Sequence, residues 1–215
     1  MTPAGSSAAR RTLREDYLGA STFVEKGWNF IAIGNFSGAE RILLRALELA
    51  PSDVRGKSLL GWALMRQGKL LEAEQVLVGL LSENTLNSMA RVNLGYVYMK
   101  KGEVARASEL LLSSSRQNRD PKAALYGVFY RGLLLASEEN FSEAELYFRK
   151  SIQLAPNFVE GYYELGRAQQ CAGLETEARA TWKTGHAINR INIWGKRCAD
   201  AIRLIDHGYS PPSFS

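Results

Sequence analysis

Apolar positions in this chain recur in short clusters punctuated by glycine and proline. In one segment Leu60 and Leu64, then Leu70, Ala73, Leu77 and Leu80, fall at three- or four-residue steps on either side of Gly68. A second segment repeats the design with Leu94, Tyr98, Val104, Ala107 and Leu111, and a third with Val128, Leu135, Phe141, Ala144 and Phe148. Steps of three and four put side chains on one stripe of an α-helix. Each segment therefore predicts two amphipathic helices joined by a turn. Proline agrees with this division. Pro51 and Pro156 follow ALELA and IQLA at the ends of second helices, and Pro121 closes another copy. None falls inside a predicted helix, where its missing N–H would break the ladder.

The segments share a register. Gly27, Gly61 and Gly95 stand 34 residues apart, and Gly132 and Gly166 are again 34 apart after a step of 37. Ala39, Ala73, Ala107, Ala144 and Ala178 form a second column, and Gly34, Gly68, Gly102, Glu139 and Gly173 a third. A glycine inside a helix costs about 1 kcal/mol against alanine. Five at one register imply close approach of a neighbouring helix. The third column ends each first helix, where glycine takes the left-handed C-cap conformation.

A 34-residue helix–turn–helix unit with these columns resembles the tetratricopeptide repeat. GNFSGAERILLRALELAPSD (34–53), VNLGYVYMKKGEVARASELL (92–111) and ENFSEAELYFRKSIQLAPNF (139–158) carry the resemblance most fully. We frame five copies, 20–53, 54–87, 88–121, 125–158 and 159–192, with an insertion at 122–124. The resemblance implies an all-α, right-handed helical-repeat solenoid. Lys26 and Arg131 stand where the family has leucine, and the fifth copy departs at Gln169, Gly185 and Arg190. Arg131 is expected to snorkel out of a partly open interface.

The flanks complete this frame. Residues 1–19 read as an N-terminal extension, unstructured to about Ala9 and then a short helix leading into the first copy. Residues 193–207 place Trp194, Cys198, Ala201 and Ile205 on one face. They are the polar-backed cap that an open repeat array needs. Residues 208–215, GYSPPSFS, form a tail.

Composition narrows the function classes. With 46% hydrophobic and 23% charged residues the chain is globular rather than disordered. Its net charge of +5 is too mild to announce a nucleic-acid binder. Basic residues do gather at both ends, but Glu175, Glu177, Asp200 and Asp206 are interleaved with those at the second. No apolar run approaches the roughly 20 residues of a membrane span, and MTPAGSSAARRTLRED has no apolar signal core. Two cysteines, Cys171 and Cys198, make no disulfide framework. The expected compartment is the cytoplasm. His186 and His207 have no ligand set around them, and no glycine-rich phosphate loop exists. No cofactor and no enzymatic activity are expected. The NFS sequences at Asn35 and Asn140 occupy equivalent turns and read as turn chemistry.

The resemblance implies a concave groove lined by the first helices. Carried over position by position, the residue after each glycine gives Trp28, Trp62, Tyr96, Leu133 and Arg167. One turn earlier come Val24, Ser58, Val92, Phe129 and Tyr163, and one turn later Ile31, Met65, Met99, Ala136 and Gln170. The expected partner-binding groove is the large apolar part of this set: Val24, Trp28, Ile31, Trp62, Met65, Val92, Tyr96, Met99, Phe129, Leu133 and Tyr163. Aromatics and methionine are residue types that interfaces favour. The implied partner is another protein, presenting a helix or an extended peptide. The clamp by which some family members grip an acidic chaperone tail is not matched: Val24, Trp28, Leu59, Met89 and Asn93 stand at its positions. The chain is thus expected to be a non-catalytic adaptor, scaffold, chaperone or assembly factor. The alternatives are a basic-surface scaffold for RNA or an acidic partner, a regulatory subunit contacting through its cap or convex face, and self-association.

Overall fold

Eleven α-helices account for the regular structure of the described residues. They are α1 (Ala4–Ala32), α2 (Phe36–Leu49), α3 (Val54–Arg66), α4 (Leu70–Glu83), α5 (Ser88–Lys100), α6 (Val104–Ser115), α7 (Pro121–Ser137), α8 (Phe141–Leu154), α9 (Val159–Cys171), α10 (Glu175–Ile188) and α11 (Ile193–Asp206). The computed structural model describes residues 4–83, 86–115, 120–210, 212 and 214, with side chains from Leu18 onward except at 114 and 115. The helices form two compact units, Met1–Gly102 and Glu103–Ser215. Within each unit successive helices pack on one another, and first helices also touch: α1 with α3 and α3 with α5, then α7 with α9 and α9 with α11. This is an all-α helical-repeat fold.

The sequence columns explain the packing. A Cβ built on Gly27 would lie 2.6 Å from Leu43, on Gly61 2.5 Å from Leu77, on Gly132 2.8 Å from Phe148 and on Gly166 2.3 Å from Trp182. In each case the intruding side chain belongs to the second helix of the same pair. The glycine is the hole and the large residue sixteen places on is the knob. Leu43, Leu77, Phe148 and Trp182 are all fully buried.

The turn column works as expected. Gly34, Gly68, Gly102 and Gly173 have φ between 77° and 81°, and Glu139 takes the same left-handed region at φ 60°. The hydrogen bonds are those of a Schellman cap. Lys69 N donates to Leu64 O and Gly68 N to Met65 O, and Asn140 and Glu139 repeat this with Leu135 and Ala136. Asn35 and Asn140 then cap the following helices, accepting from Gly38 N at 2.9 Å and Glu143 N at 3.4 Å. The side-chain oxygen satisfies a donor that the first turn leaves orphaned.

Three expectations are corrected. Residues 4–9 are not unstructured: α1 starts at Ala4 and continues without a break into the first repeat, with no proline to interrupt it. Residues 1–3 lie outside the described residues. Pro121, read as the end of a copy, is the first residue of a helix. Asp120 caps α7 and proline takes its first position, where a missing N–H costs nothing. The insertion at 122–124 is absorbed as the first turn of that helix, which has 17 residues against 13 in α3, α5 and α9. Gly208, read as the start of the tail, instead terminates α11 at φ 77°, with Tyr209 N donating to Leu204 O. The last helix thus ends as the first helices do.

The departures from the family pattern find partners. Arg131 is half-buried and its Nη1 donates to Ser108 Oγ at 2.6 Å, from α7 to α6. Gln169 is buried between a donor and an acceptor: its Nε2 reaches Glu145 at 3.1 Å and its Oε1 accepts from Thr181 at 2.8 Å. Gly185 makes room for Tyr162 and Cys198. The second unit is closed by α11, whose Cys198 and Ala201 pack with Tyr163, Ala178 and Trp182.

Candidate partner-binding site

An α-helix turns by about 100° per residue. Measured from the residue that follows each helix-one glycine, the position four before lies about 40° to one side. The position three after lies about 60° to that same side. The position three before lies about 60° to the opposite side. Neighbouring helices cover these flanks. On the first side Val24, Val92, Phe129 and Tyr163, together with Ile31 and Met65, are buried. On the other side Leu59, Asn93, Tyr130 and Glu164 are buried too.

The positions between the flanks stay open. Trp28, Trp62, Tyr96, Leu133 and Arg167 are half-buried in all five pairs. Burial therefore removes Val24, Ile31, Met65, Val92 and Phe129 from the expected partner-contacting set, whereas Tyr163, though buried, lines a cleft of the second unit. Phe129 shows the reason most clearly. Its ring meets Phe158 edge-on at 4.9 Å and Phe148 at 5.8 Å, inside an aromatic core. Of the remaining expected residues, Leu133 is one of the post-glycine set, and Met99, three residues after Tyr96, is half-buried as well.

Helical arithmetic also adds residues that the sequence reading missed. Positions seven before and four after the post-glycine residue lie within about 40° of it on the other side. In α3 these are Arg55 and Arg66, and in α5 Lys100 follows Tyr96. The signal was present as a period of seven and four, but a resemblance-based transfer one turn either way passed over it.

In the first unit the open stripe centres on tryptophan. The rings of Trp28 and Trp62 lie 6.0 Å apart at 46°, presented side by side from α1 and α3. Gly27 and Gly61 at the preceding positions let Leu43 and Leu77 of the second helices pack in behind. Arg55 forms an ion pair with Glu25 across the same two helices. An aromatic floor with charged margins results.

In the second unit the equivalent face is charged. A cleft of about 400 Å³ lies between α9 and α11, lined by Tyr163, Glu164, Arg167, Arg197, Asp200 and Leu204 among others. Arg167 Nη1 donates to Glu164 Oε2 at 2.7 Å, and both side chains are largely buried. Burial pushes the Glu164 carboxyl above its ordinary range, against the opposing pull of Arg167 and Arg197. Tyr163 forms the floor, with its ring 5.6 Å from Trp194 and the Arg167 and Arg197 guanidiniums 5.7 Å and 5.9 Å from its centre. Planar guanidiniums beside aromatic faces suit a peptide's carbonyls and rings.

Both histidines bond backbone carbonyls. His186 Nδ1 bonds Gly195 O at 2.9 Å and His207 Nδ1 bonds Arg203 O at 2.8 Å. Burial pushes the Cys198 thiol up to about 12, so no thiolate forms there near neutrality. Among the described residues no group of three His, Cys, Asp or Glu is placed to hold a metal ion. No helix among them is long and apolar enough to cross a membrane.

Comparison with known proteins sets this geometry in context. Family models of the tetratricopeptide repeat match residues 24–84, 64–127 and 131–158. No match is found among proteins with curated descriptions. Among solved structures, the chain is similar to TTC0263, a thermophilic tetratricopeptide protein of Thermus thermophilus, at 20% identity and a TM-score of 0.75, covering 86% of this chain and all of that one. It is similar to PilF of Pseudomonas aeruginosa at 18% identity and a TM-score of 0.61, over 90% and 93% of the two chains. It is also similar to YrrB, described as a tetratricopeptide protein with an unusual peptide-binding site, at 18% identity and a TM-score of 0.52, over 89% and 97%. With the family models together spanning over half of its residues, and the glycine–knob pairs and left-handed turns recurring along it, the chain belongs to the tetratricopeptide repeat family.

Proposed function

We propose that this protein is a non-catalytic adaptor or assembly factor that holds a segment of a partner protein along the post-glycine stripe of the first helices in its first unit. Tetratricopeptide repeats mediate protein–protein interaction, and that general role frames the proposal. The observation that carries it is the Trp28–Trp62 pair, two large half-buried rings side by side on a face that the helix packing keeps open. Leaving such rings in water forgoes burial worth about 25 cal/mol per Å². A partner that covers them recovers it, less the cost of ordering its own segment. Exposed Cys171 and buried Cys198, both free thiols, suit a reducing compartment, and a cytoplasmic place belongs to this reading.

The test is partner capture by three baits. Trp28→Ala/Trp62→Ala alters the stripe, whereas Leu71→Asp/Leu146→Asp alters two residues on second helices that are 69% and 65% exposed. A partner retained by wild type and the second-helix variant, but lost by the tryptophan variant at unchanged helicity, is the expected result. Loss by the second-helix variant alone would move the contact to the convex face and overturn the proposal.

A further inference from the structure

The tail that follows α11 returns to the second unit. Arg167 Nε donates to the carbonyl of Pro212 at 2.9 Å, and its guanidinium carbon lies 4.0 Å from the centre of the Phe214 ring. Pro212 lines the α9–α11 cleft. Phe214 is half-buried, with its ring 6.2 Å from Phe141 and 6.4 Å from Phe148, nearly parallel to the latter. Arg167 is the post-glycine residue of α9, the same register as Trp28 and Trp62. Pro212 and Phe214 thus meet, in the second unit, the side chain that stands in the register of Trp28 and Trp62 in the first.

We infer that Arg167, with the α9–α11 cleft on one side and Phe141 and Phe148 of α8 on the other, is the centre of a recognition site for a segment with a proline and an aromatic residue two places after it, and that Pro212 and Phe214 occupy it as an internal ligand. This rests on the reading of the stripe as a binding face and names the partner chemistry for its second half. Each element of the contact fits such a ligand. Proline favours an extended backbone, so little conformational entropy is lost on docking. The proline carbonyl accepts from Arg167 Nε, and its missing N–H leaves no backbone donor to be satisfied beside it. The Arg167 fork is held in place by Glu164, which leaves Nε directed at the carbonyl and the guanidinium plane available to the ring. A partner segment of this chemistry binds by displacing the tail. The tail therefore sets the apparent affinity. If it is docked nine-tenths of the time, a competing segment binds about tenfold more weakly than to an empty cleft.

The experiment is a titration of full-length proteins with a fluorescein-labelled Tyr-Ser-Pro-Pro-Ser-Phe-Ser peptide, which copies residues 209–215. Phe214→Ala frees the cleft without touching it, and is expected to bind the peptide about tenfold more tightly than wild type. A second variant, Phe214→Ala with Arg167→Lys, keeps the charge beside Glu164 but loses the planar fork, and is expected to lose that gain. A peptide with alanine in place of its phenylalanine should fail on every protein. Equal affinity for wild type and Phe214→Ala, or no binding to either, would overturn the inference. So would equal binding of the alanine peptide. Release of a dimer on substituting Phe214 would instead assign the tail to a second copy and overturn its role in the same chain. Trp28→Ala/Trp62→Ala should leave the titration unchanged, so failure of the tail site and failure of the tryptophan face are separately visible.

Discussion

Glu139 occupies a backbone position that four sister repeats give to glycine. At φ 60° its Cβ crowds the backbone in a way that glycine avoids, at a cost of about 1 kcal/mol. Its sisters at Gly34, Gly68, Gly102 and Gly173 have nothing within 4 Å of an added Cβ, so the column is about dihedral angle and not space. Glu139→Gly is therefore predicted to stabilise the protein by about 0.5–1 kcal/mol, read as a higher urea midpoint at unchanged slope. A lower midpoint would mean that the Glu139 side chain contributes more than its backbone costs. This position was legible in the sequence as an exception within a column. The left-handed angle itself was not, since a glutamate there suggests by propensity a turn of another kind.

At the scale of helices, the glycine–knob pair is the unit of construction. Gly166 faces Trp182, the largest of the knobs, whose Nε1 also donates to Tyr163 O at 3.0 Å. Gly166→Ala puts a methyl 2.3 Å from that nitrogen, so the indole must move and its hydrogen bond is strained. A loss of about 1–3 kcal/mol is predicted, from overpacking and a weakened buried hydrogen bond. Thermal unfolding followed by circular dichroism measures it; a variant as stable as wild type would show that α9 and α10 can separate without penalty. The helices, turns and caps were readable because each repeat states them again, and the sixth left-handed cap at Gly208 was missed because it has no repeat after it. The open stripe was harder to read. Transferring family positions by one turn in either direction lands about 40–60° off the exposed line, which is why Val24, Val92 and Phe129 turned out to be packing residues. Glu164 was overlooked for a related reason: a carboxylate on a helix usually signals a solvated face, and only packing shows that α11 covers this one.

At the scale of the molecule, the two units carry different side chains on equivalent helix faces. The first offers an aromatic pair with charged margins, Trp28 and Trp62 beside Arg55 and Arg66. The second offers an arginine fork already occupied by the tail. One repeat geometry serves both because the post-glycine position is fixed by packing while its side chain is not. The central claim is that this position, and not its buried neighbours, meets the partner. The most direct test is to measure partner affinity and melting temperature together for Trp62→Ala and Val92→Ala. The account predicts a split: Trp62→Ala weakens binding at least tenfold with little change in melting temperature, as for an interface hot spot. Val92→Ala, by contrast, lowers the melting temperature while the folded protein binds as before. The reverse pattern, with Val92 needed for affinity and Trp62 for stability, would contradict it.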